Sequence, residues 1–156
     1  MARKADETRL HELLYQALET EAGGIEIYRT AISCAVNDDL KEEWQGYLDE
    51  TKTHHRTLLA AFEKLGLDPE AQTPGRKVVA HIGESLVKAM KMAKEAGDPG
   101  AAQLVAGECV VLAETKDHMN WELIGHVAEH GAGDVKKVLA EAHEIIGHDE
   151  DHHLYH

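Results

Sequence analysis

The sequence is poor in aromatic residues and in proline. Phe, Trp and Tyr make up 4% of its 156 residues, and there are only three prolines. Sandwiches and barrels need strands rich in aromatic and β-branched residues with frequent turns, so this composition disfavours both folds. Ala, Leu, Glu and Lys are abundant instead, and they favour helix. The composition therefore predicts an all-α protein, and the length suits a single domain over residues 1–156.

Basic residues are scarce relative to acidic ones. The chain has 16 Lys and Arg against 29 Asp and Glu, a net charge of −13 with neutral histidines. A nucleic-acid binder needs a basic stripe, and none occurs, so we expect no nucleic-acid partner. An anionic membrane surface would repel this charge, and no apolar run is long enough to span a bilayer. We therefore expect no membrane partner, and metal cations are the natural ligands.

Cysteine is rare as well. Cys34 and Cys109 are isolated, which favours two thiols in a reducing compartment over a disulfide or a redox pair. The first ten residues, MARKADETRL, have no apolar stretch after the basic residues and do not resemble a secretory signal. Both observations predict a cytoplasmic protein.

Residues that break regular structure are few and well separated. Thr73-Pro74 and Asp98-Pro99 have the pattern of a helix cap followed by proline in the first turn. Together with polar or Gly-rich stretches near 37–39 and 131–134, they delimit five predicted helices. These helices are expected at about 6–36, 39–65, 76–96, 99–130 and 134–154.

The spacing of these helices predicts their arrangement. The first two are joined tightly, as are the last two, so each pair should form an antiparallel hairpin. Two hairpins with a long crossover between them predict a four-helix bundle, with the helix at 76–96 as an extra element. The helix at 99–130 is apolar on two faces. Either the extra helix or a second copy of the chain should cover its outer face, and we expect a homo-oligomer.

One carboxylate interrupts the apolar stripe of the first helix. Glu21 lies in the middle of that stripe, where an ionised group is costly unless it is paired or binds a metal. Tyr28 follows it at +7, as Trp121 follows Glu114 at +7, so the two hairpins look like copies of one half-site. The glycines at 23–24 predict either close packing beside Glu21 or a kink.

Histidine, in contrast, is abundant, with 12 residues. A carboxylate and a histidine recur about one helical turn apart in ETKTHH at 50–55, ETKDH at 114–118 and DEDHH at 149–153. Carboxylates with imidazoles suit divalent iron, manganese or zinc. The candidate metal ligands are Glu21, Glu50, His54, His55, Glu114, His118, Asp149, His152 and His153.

Two pairings of histidines follow from aligning TKTHH at 51–55 with DEDHH at 149–153. The alignment pairs His54 with His152 and His55 with His153, and the sequence leaves open which pair carries the ligands. The remaining histidines of the last two helices are expected to be solvated. They are His126, His130, His143 and His148.

These motifs resemble those of the ferritin-like superfamily of di-metal carboxylate proteins, such as bacterioferritin and rubrerythrin. In that family two helices each give one Glu, and two others each give a Glu-x-x-His motif. Glu21 and Glu114 match the lone glutamates. Asp149-x-x-His152 or Glu150-x-x-His153 resembles one paired motif, whereas Glu50 departs from the other because it precedes His54 by four residues.

The resemblance implies a cofactor and a type of chemistry. It implies a buried site for two iron ions, with manganese or zinc as alternatives. It also implies redox chemistry with oxygen or peroxide, as in a di-iron oxidase or peroxidase, or else iron handling. Two other functions stay open on the sequence: a metal-free helical scaffold or interaction protein, and a mononuclear zinc or manganese hydrolase.

Overall fold

The computed structural model describes residues 2–130 and 133–155, with side chains except at 2–6, 147–148, 150–152 and 154–155. The described residues form five α-helices and no strand, which confirms the predicted all-α class and the number of helices. The helices are α1 (Ala2–Cys34), α2 (Asp38–Leu65), α3 (Pro74–Glu95), α4 (Pro99–His130) and α5 (Gly133–Tyr155). In the described part of the chain, no helix combines the length and the hydropathy needed to cross a membrane.

Local capping chemistry fixes where these helices begin and end. The Asn37 side chain accepts a hydrogen bond from the backbone N–H of Leu40 at 3.0 Å and caps α2. Thr73 caps α3 in the same way, with proline in the first turn. Gly66 ends α2 with φ of 70°, a left-handed conformation that glycine adopts without a steric cost.

Side-chain contacts show that the helices within each hairpin are antiparallel. Tyr15, early in α1, packs edge-on against Phe62, late in α2, with ring centroids 5.1 Å apart. Tyr28, late in α1, packs against Tyr47, early in α2. In the other hairpin, α4 and α5 pack along each other.

Contacts between the hairpins close four of the helices into a bundle. The α1 helix packs against α4, where Glu21 meets Trp121 at 3.0 Å. The α2 helix packs against α5, where His54 meets Asp149 at 2.9 Å. Each of α1, α2, α4 and α5 therefore has two neighbours within the bundle, and α3 lies outside it against α1 and α4.

The bundle core consists of two apolar clusters separated by a polar layer. One cluster contains the C-terminal half of α1, with Tyr28 and Ala31, and the start of α2, with Trp44 and Leu48. The other contains Leu14, Leu18, Leu58, Phe62, Trp121, Ile124, Leu139 and Ile146. Between them, along every bundle helix, lie the buried polar residues Glu21, Thr51, His54, Glu114, Asp117, Asn120 and His153.

The outer face of α4 stays largely uncovered in the single chain. Its apolar side chains Leu104, Leu112, Met119 and Leu123 are 66%, 60%, 48% and 49% exposed. The α3 helix packs against part of α4 through Met90, but it leaves these four side chains exposed.

Candidate metal centre

Six of the predicted candidate ligands, from four helices, meet in the polar layer. Two of them, Glu21 and His54, are completely buried, and two more, Glu114 and His153, are 4% and 5% exposed. Their partners Glu50 and Asp149 lie at the rim, with 43% and 33% of their side chains exposed. The layer thus has an inner set of two carboxyls and two imidazoles and an outer pair of carboxyls.

The first half of this layer is centred on His54. Its Nε2 lies 2.9 Å from Asp149 Oδ2, a hydrogen bond between α2 and α5. Its Nδ1 lies 3.8 Å from Glu21 Oε2 on α1. The ring is therefore held by an outer carboxylate on one nitrogen and faces a buried carboxyl with the other.

The second half repeats this arrangement around His153. Its Nε2 lies 2.5 Å from Glu50 Oε2, again a hydrogen bond between α5 and α2. Its Nδ1 lies 3.6 Å from Glu114 Oε2 on α4. The two imidazole rings are 5.9 Å apart and tilted by 31°. Each hairpin supplies the carboxylate that orients the histidine of the other.

The two aromatic residues found at +7 complete the symmetry. The Tyr28 hydroxyl donates a hydrogen bond to Glu114 Oε1 at 2.6 Å. The Trp121 indole N–H donates to Glu21 Oε1 at 3.0 Å. The aromatic residue of each hairpin thus holds the buried carboxyl of the other hairpin, and both carboxyls keep their second oxygen, Oε2, turned towards an imidazole.

Among the described side chains His54 corresponds to His153, because each follows its own acidic residue, Glu50 or Asp149, by four positions. The contacts do not bring His55 together with His153, and the pairing of His54 with His152 stays a prediction. The side chain of His152 lies outside the described residues.

Two other predicted candidates lie elsewhere. His55 is half-buried on the flank of α2, near the charges of Glu19 and Arg76, and burial lowers its pKa. His118 lies 3.0 Å from Glu122 on the same helix. The sequence left open whether His54 or His55 is a ligand. Because α2 packs against both α1 and α5, its buried face is wide enough to include His54.

Sequence reasoning missed Asp117, which is 5% exposed beside Glu21. Burial raises the pKa of Glu21 well above its usual range, and the nearby Asp117 raises it further. Two carboxyls can hydrogen-bond to each other only when one carries a proton. The signal was present in the sequence, because Asp117 follows Glu114 by three residues and so shares its helix face.

The two histidines differ in protonation despite their similar geometry. Burial lowers the pKa of His54, and its hydrogen bond to the Asp149 carboxylate, which acts in the opposite direction, does not outweigh burial. Burial also acts on His153, but the nearby carboxyls of Glu114 and Glu50 outweigh it and raise its pKa. Relative to an ordinary imidazole, the metal-free layer therefore favours the neutral form of His54 and the protonated form of His153.

The two glycines near Glu21, Gly23 and Gly24, differ in their surroundings. A Cβ atom at Gly24 would lie 3.3 Å from the Thr51 methyl group, which is tighter than most such contacts. At Gly23 a Cβ atom would meet nothing within 4 Å. Gly24 therefore allows close approach of α1 and α2 beside the polar layer, as one of the two sequence interpretations predicted.

The donor set fits divalent metal ions. The separations of 3.8 and 3.6 Å between Nδ1 and Oε2 are too long for hydrogen bonds. They are close to the roughly 3–3.7 Å between two ligand atoms that bind one ion at about 2.1 Å each. In the core of the described chain, the imidazole and carboxyl ligand atoms approach each other in pairs. Among the described residues, three ligand atoms lie within 4.8 Å of one another only at the surface.

Comparison of the chain with protein-family models, with curated proteins and with solved structures finds no match.

Proposed function

We propose that this chain is a ferritin-like protein whose four-helix bundle binds two divalent metal ions, with iron as the resident metal. Glu21 and His54 hold one ion, and Glu114 and His153 hold the other. The long crossover that carries α3 and the antiparallel hairpins on either side of it support this assignment. The alternation of two apolar clusters with one ligand-rich layer supports it further.

One observation carries the proposal. Each buried imidazole has its Nε2 on a carboxylate at the rim and its Nδ1 directed at a buried carboxyl. Histidines that bind metals usually donate their other ring N–H to a carboxylate, which fixes the tautomer and the ring orientation. Glu50 and Asp149 are therefore positioning residues, and the Nδ1 atoms are the metal-binding nitrogens.

The buried carboxyls of the layer also support metal binding. Glu21 and Glu114 are both buried in a bundle whose other core residues are mainly apolar. Ionised carboxylates are unstable in such surroundings unless a cation compensates them. Two divalent ions would offset most of the negative charge of Glu21, Glu114, Asp117, Glu50 and Asp149. They would favour the ionised form of Glu21, whose pKa is otherwise raised.

Iron at this centre supplies redox chemistry towards oxygen or peroxide, as in an oxidase or a peroxidase. The protein residues do the rest. Tyr28 and Trp121 hold the buried carboxyls by hydrogen bonds, and the two apolar clusters keep bulk water out of the layer. We propose a cytoplasmic location, because Cys34 and Cys109 are free thiols buried against α3.

The main competing function is a metal-free helical scaffold. It is favoured by the hydrogen bonds that the histidines already make to Asp149 and Glu50 without any ion. A scaffold would keep its buried carboxyls protonated and would gain nothing from added metal. The two accounts therefore differ in metal content and in metal-dependent stability.

Metal analysis of protein purified without chelator separates them. We expect two equivalents of iron in the wild-type protein and a large loss in the His54→Ala/His153→Ala variant. The His81→Ala variant, altered at an exposed histidine on α3, is the matched control and should keep both equivalents. A wild-type protein that binds no metal, and whose melting temperature is unchanged by Fe²⁺, would leave the scaffold as the function.

We also propose that the uncovered face of α4 is the contact between two copies of the chain. Leu112 and Met119 lie near the middle of this face, and both are about half exposed or more, at 60% and 48%. Exposed apolar patches of this kind commonly mark interaction surfaces. Light scattering should show a dimer for the wild-type protein and a monomer for Leu112→Glu/Met119→Glu.

A further inference from the structure

A second group of ligand-type side chains lies at the C-terminal end of α4, outside the polar layer. His126, Glu129 and His130 each offer one ligand atom, and the three atoms lie within 4.8 Å of one another. All three residues are exposed. Among the residues that the structure describes, this is the only group of three ligands with that proximity.

The local geometry prepares His130 for a metal. Its Nδ1 lies 2.9 Å from the backbone carbonyl oxygen of His126. A carbonyl oxygen can only accept, so Nδ1 carries the hydrogen, and Nε2 of the neutral ring keeps its lone pair. A backbone carbonyl is one of the usual partners that orient a metal-binding histidine. The ring of His126 lies alongside, with centroids 4.3 Å apart.

The position in the helix also favours a cation. The α4 helix ends at His130, so the group lies in its last turn. The carbonyl groups of that turn give the end of the helix a partial negative charge, which stabilises cations there. Glu129 adds a formal negative charge. Magnesium and calcium prefer sites made of oxygen ligands alone, whereas two imidazoles and one carboxylate favour zinc, nickel or copper.

We infer that His126, Glu129 and His130 form a surface site for a late transition-metal ion, separate from the buried centre. The site has three protein ligands on one helix and leaves its remaining coordination positions to water. Sequence reasoning had assigned both histidines to the solvated surface. The signal in the sequence was their i,i+4 spacing, which places both histidines on one helix face. Glu129 follows His126 by three residues, so all three side chains can bind one ion.

Nickel alone is a suitable probe, and imidazole NMR signals report where it binds. In the wild-type protein, Ni²⁺ should broaden the signals of His126 and His130 before that of the exposed His81. In the His54→Ala/His153→Ala protein, one equivalent of Ni²⁺ should still bind by calorimetry, and replacing His130 with Ala should remove it. Glu129→Gln should weaken binding without changing the helix content.

Each outcome decides the inference independently of the buried centre. Retention of one Ni²⁺ equivalent without His54 and His153, and its loss without His130, supports the surface site whether or not the core binds iron. Equal broadening of His81, His126 and His130 would show only weak binding to separate imidazoles. Nickel binding that His130→Ala leaves unchanged would overturn the site.

Discussion

The two halves of the polar layer share one geometry but differ in chemistry. In each half, a histidine lies between an outer carboxylate and a buried glutamate. The distance from the Nδ1 atom to the buried Oε2 atom is 3.8 Å for His54 and 3.6 Å for His153. Yet the pKa of His54 is lowered, and that of His153 is raised. The similar geometry of the two halves therefore does not give the two imidazoles the same pKa. The difference follows from the groups around each imidazole: burial and the charge of His153 lower the pKa of His54, whereas Glu114 and Glu50 raise that of His153.

The two halves also differ by one extra carboxyl. Glu21 has Asp117 beside it, three residues after Glu114 on α4. The corresponding position three residues after Glu21 is Gly24, where an added Cβ atom would lie 3.3 Å from the Thr51 methyl group. The Glu21 half thus has one buried carboxyl more, and burial together with Asp117 raises the pKa of Glu21 well above its usual range.

Loss of a buried carboxyl should have the largest effect on the comparison. We expect Glu114→Ala to lose the ion that Glu114 shares with His153 while the helix content survives, because packing depends on the apolar clusters and metal affinity depends on ligand number. Glu108→Ala, at an exposed position of α4, is the control. Full stoichiometry for Glu114→Ala in a metal titration would show that Glu114 is not a ligand.

Single histidine variants should affect one half at a time. We expect His54→Ala and His153→Ala each to lose one of two metal equivalents, since each ring serves one half of the layer. Circular dichroism checks that both variants remain helical. If either variant lost neither ion, that histidine would have only a structural role, and the layer would not be a duplicated site.

Lowering the pH should separate the two halves. The pKa of His153 is raised, so its stabilising contribution to the metal-free protein is present at low pH and disappears as pH rises through that value. The lowered pKa of His54 acts in the opposite direction, and its contribution is lost as pH falls. NMR titration should place His54 below and His153 above the ordinary value of about 6.5.

The same asymmetry should appear in metal affinity. Protons compete with the metal at His153 over a higher pH range than at His54, so the His153 half should lose its ion first as pH falls. Metal titrations of the two single-histidine variants at pH near 6 and near 8 compare the halves directly. Equal pH dependence of the two variants would contradict the assigned protonation states.

The hydrogen bonds from the aromatic residues should have the smallest effects. Trp121→Phe removes the donor to Glu21, and Tyr28→Phe removes the donor to Glu114. Each change should cost about 1 kcal/mol of unfolding free energy in the metal-free protein. Tyr28→Phe should cost more, because its hydrogen bond to Glu114, at 2.6 Å, has the length of a charge-assisted hydrogen bond. Urea denaturation measures both, and a larger loss for Trp121→Phe would reverse the comparison.

The sequence predicted the helices well because their limits are local. Capping residues, prolines and glycines act on neighbouring backbone, so Thr73-Pro74 and Gly66 mark real boundaries. Glu21 and Glu114 could also be found, because each interrupts an apolar face and is followed by an aromatic residue at +7. Both are buried in the structure.

The histidine register could not be derived in the same way. Consecutive residues on a helix are about 100° apart. Because α2 packs against both α1 and α5, its buried face could have included either His54 or His55. The decisive contact of His54 is with Asp149, which is 95 residues away. Only the packing of the two hairpins against each other brings these residues together. Asp117 was not predicted, because no histidine follows it by three or four residues and it therefore lies outside the carboxylate–histidine spacing that identified the other candidates.

Anomalous diffraction from crystals of the iron-loaded protein tests the duplicated site most directly. The account predicts two iron peaks within the polar layer, one at Nδ1 of His54 and one at Nδ1 of His153, with Glu50 and Asp149 still bonded to the Nε2 atoms. A single peak that involves the histidine of only one hairpin, or no peak between the two apolar clusters, would contradict it.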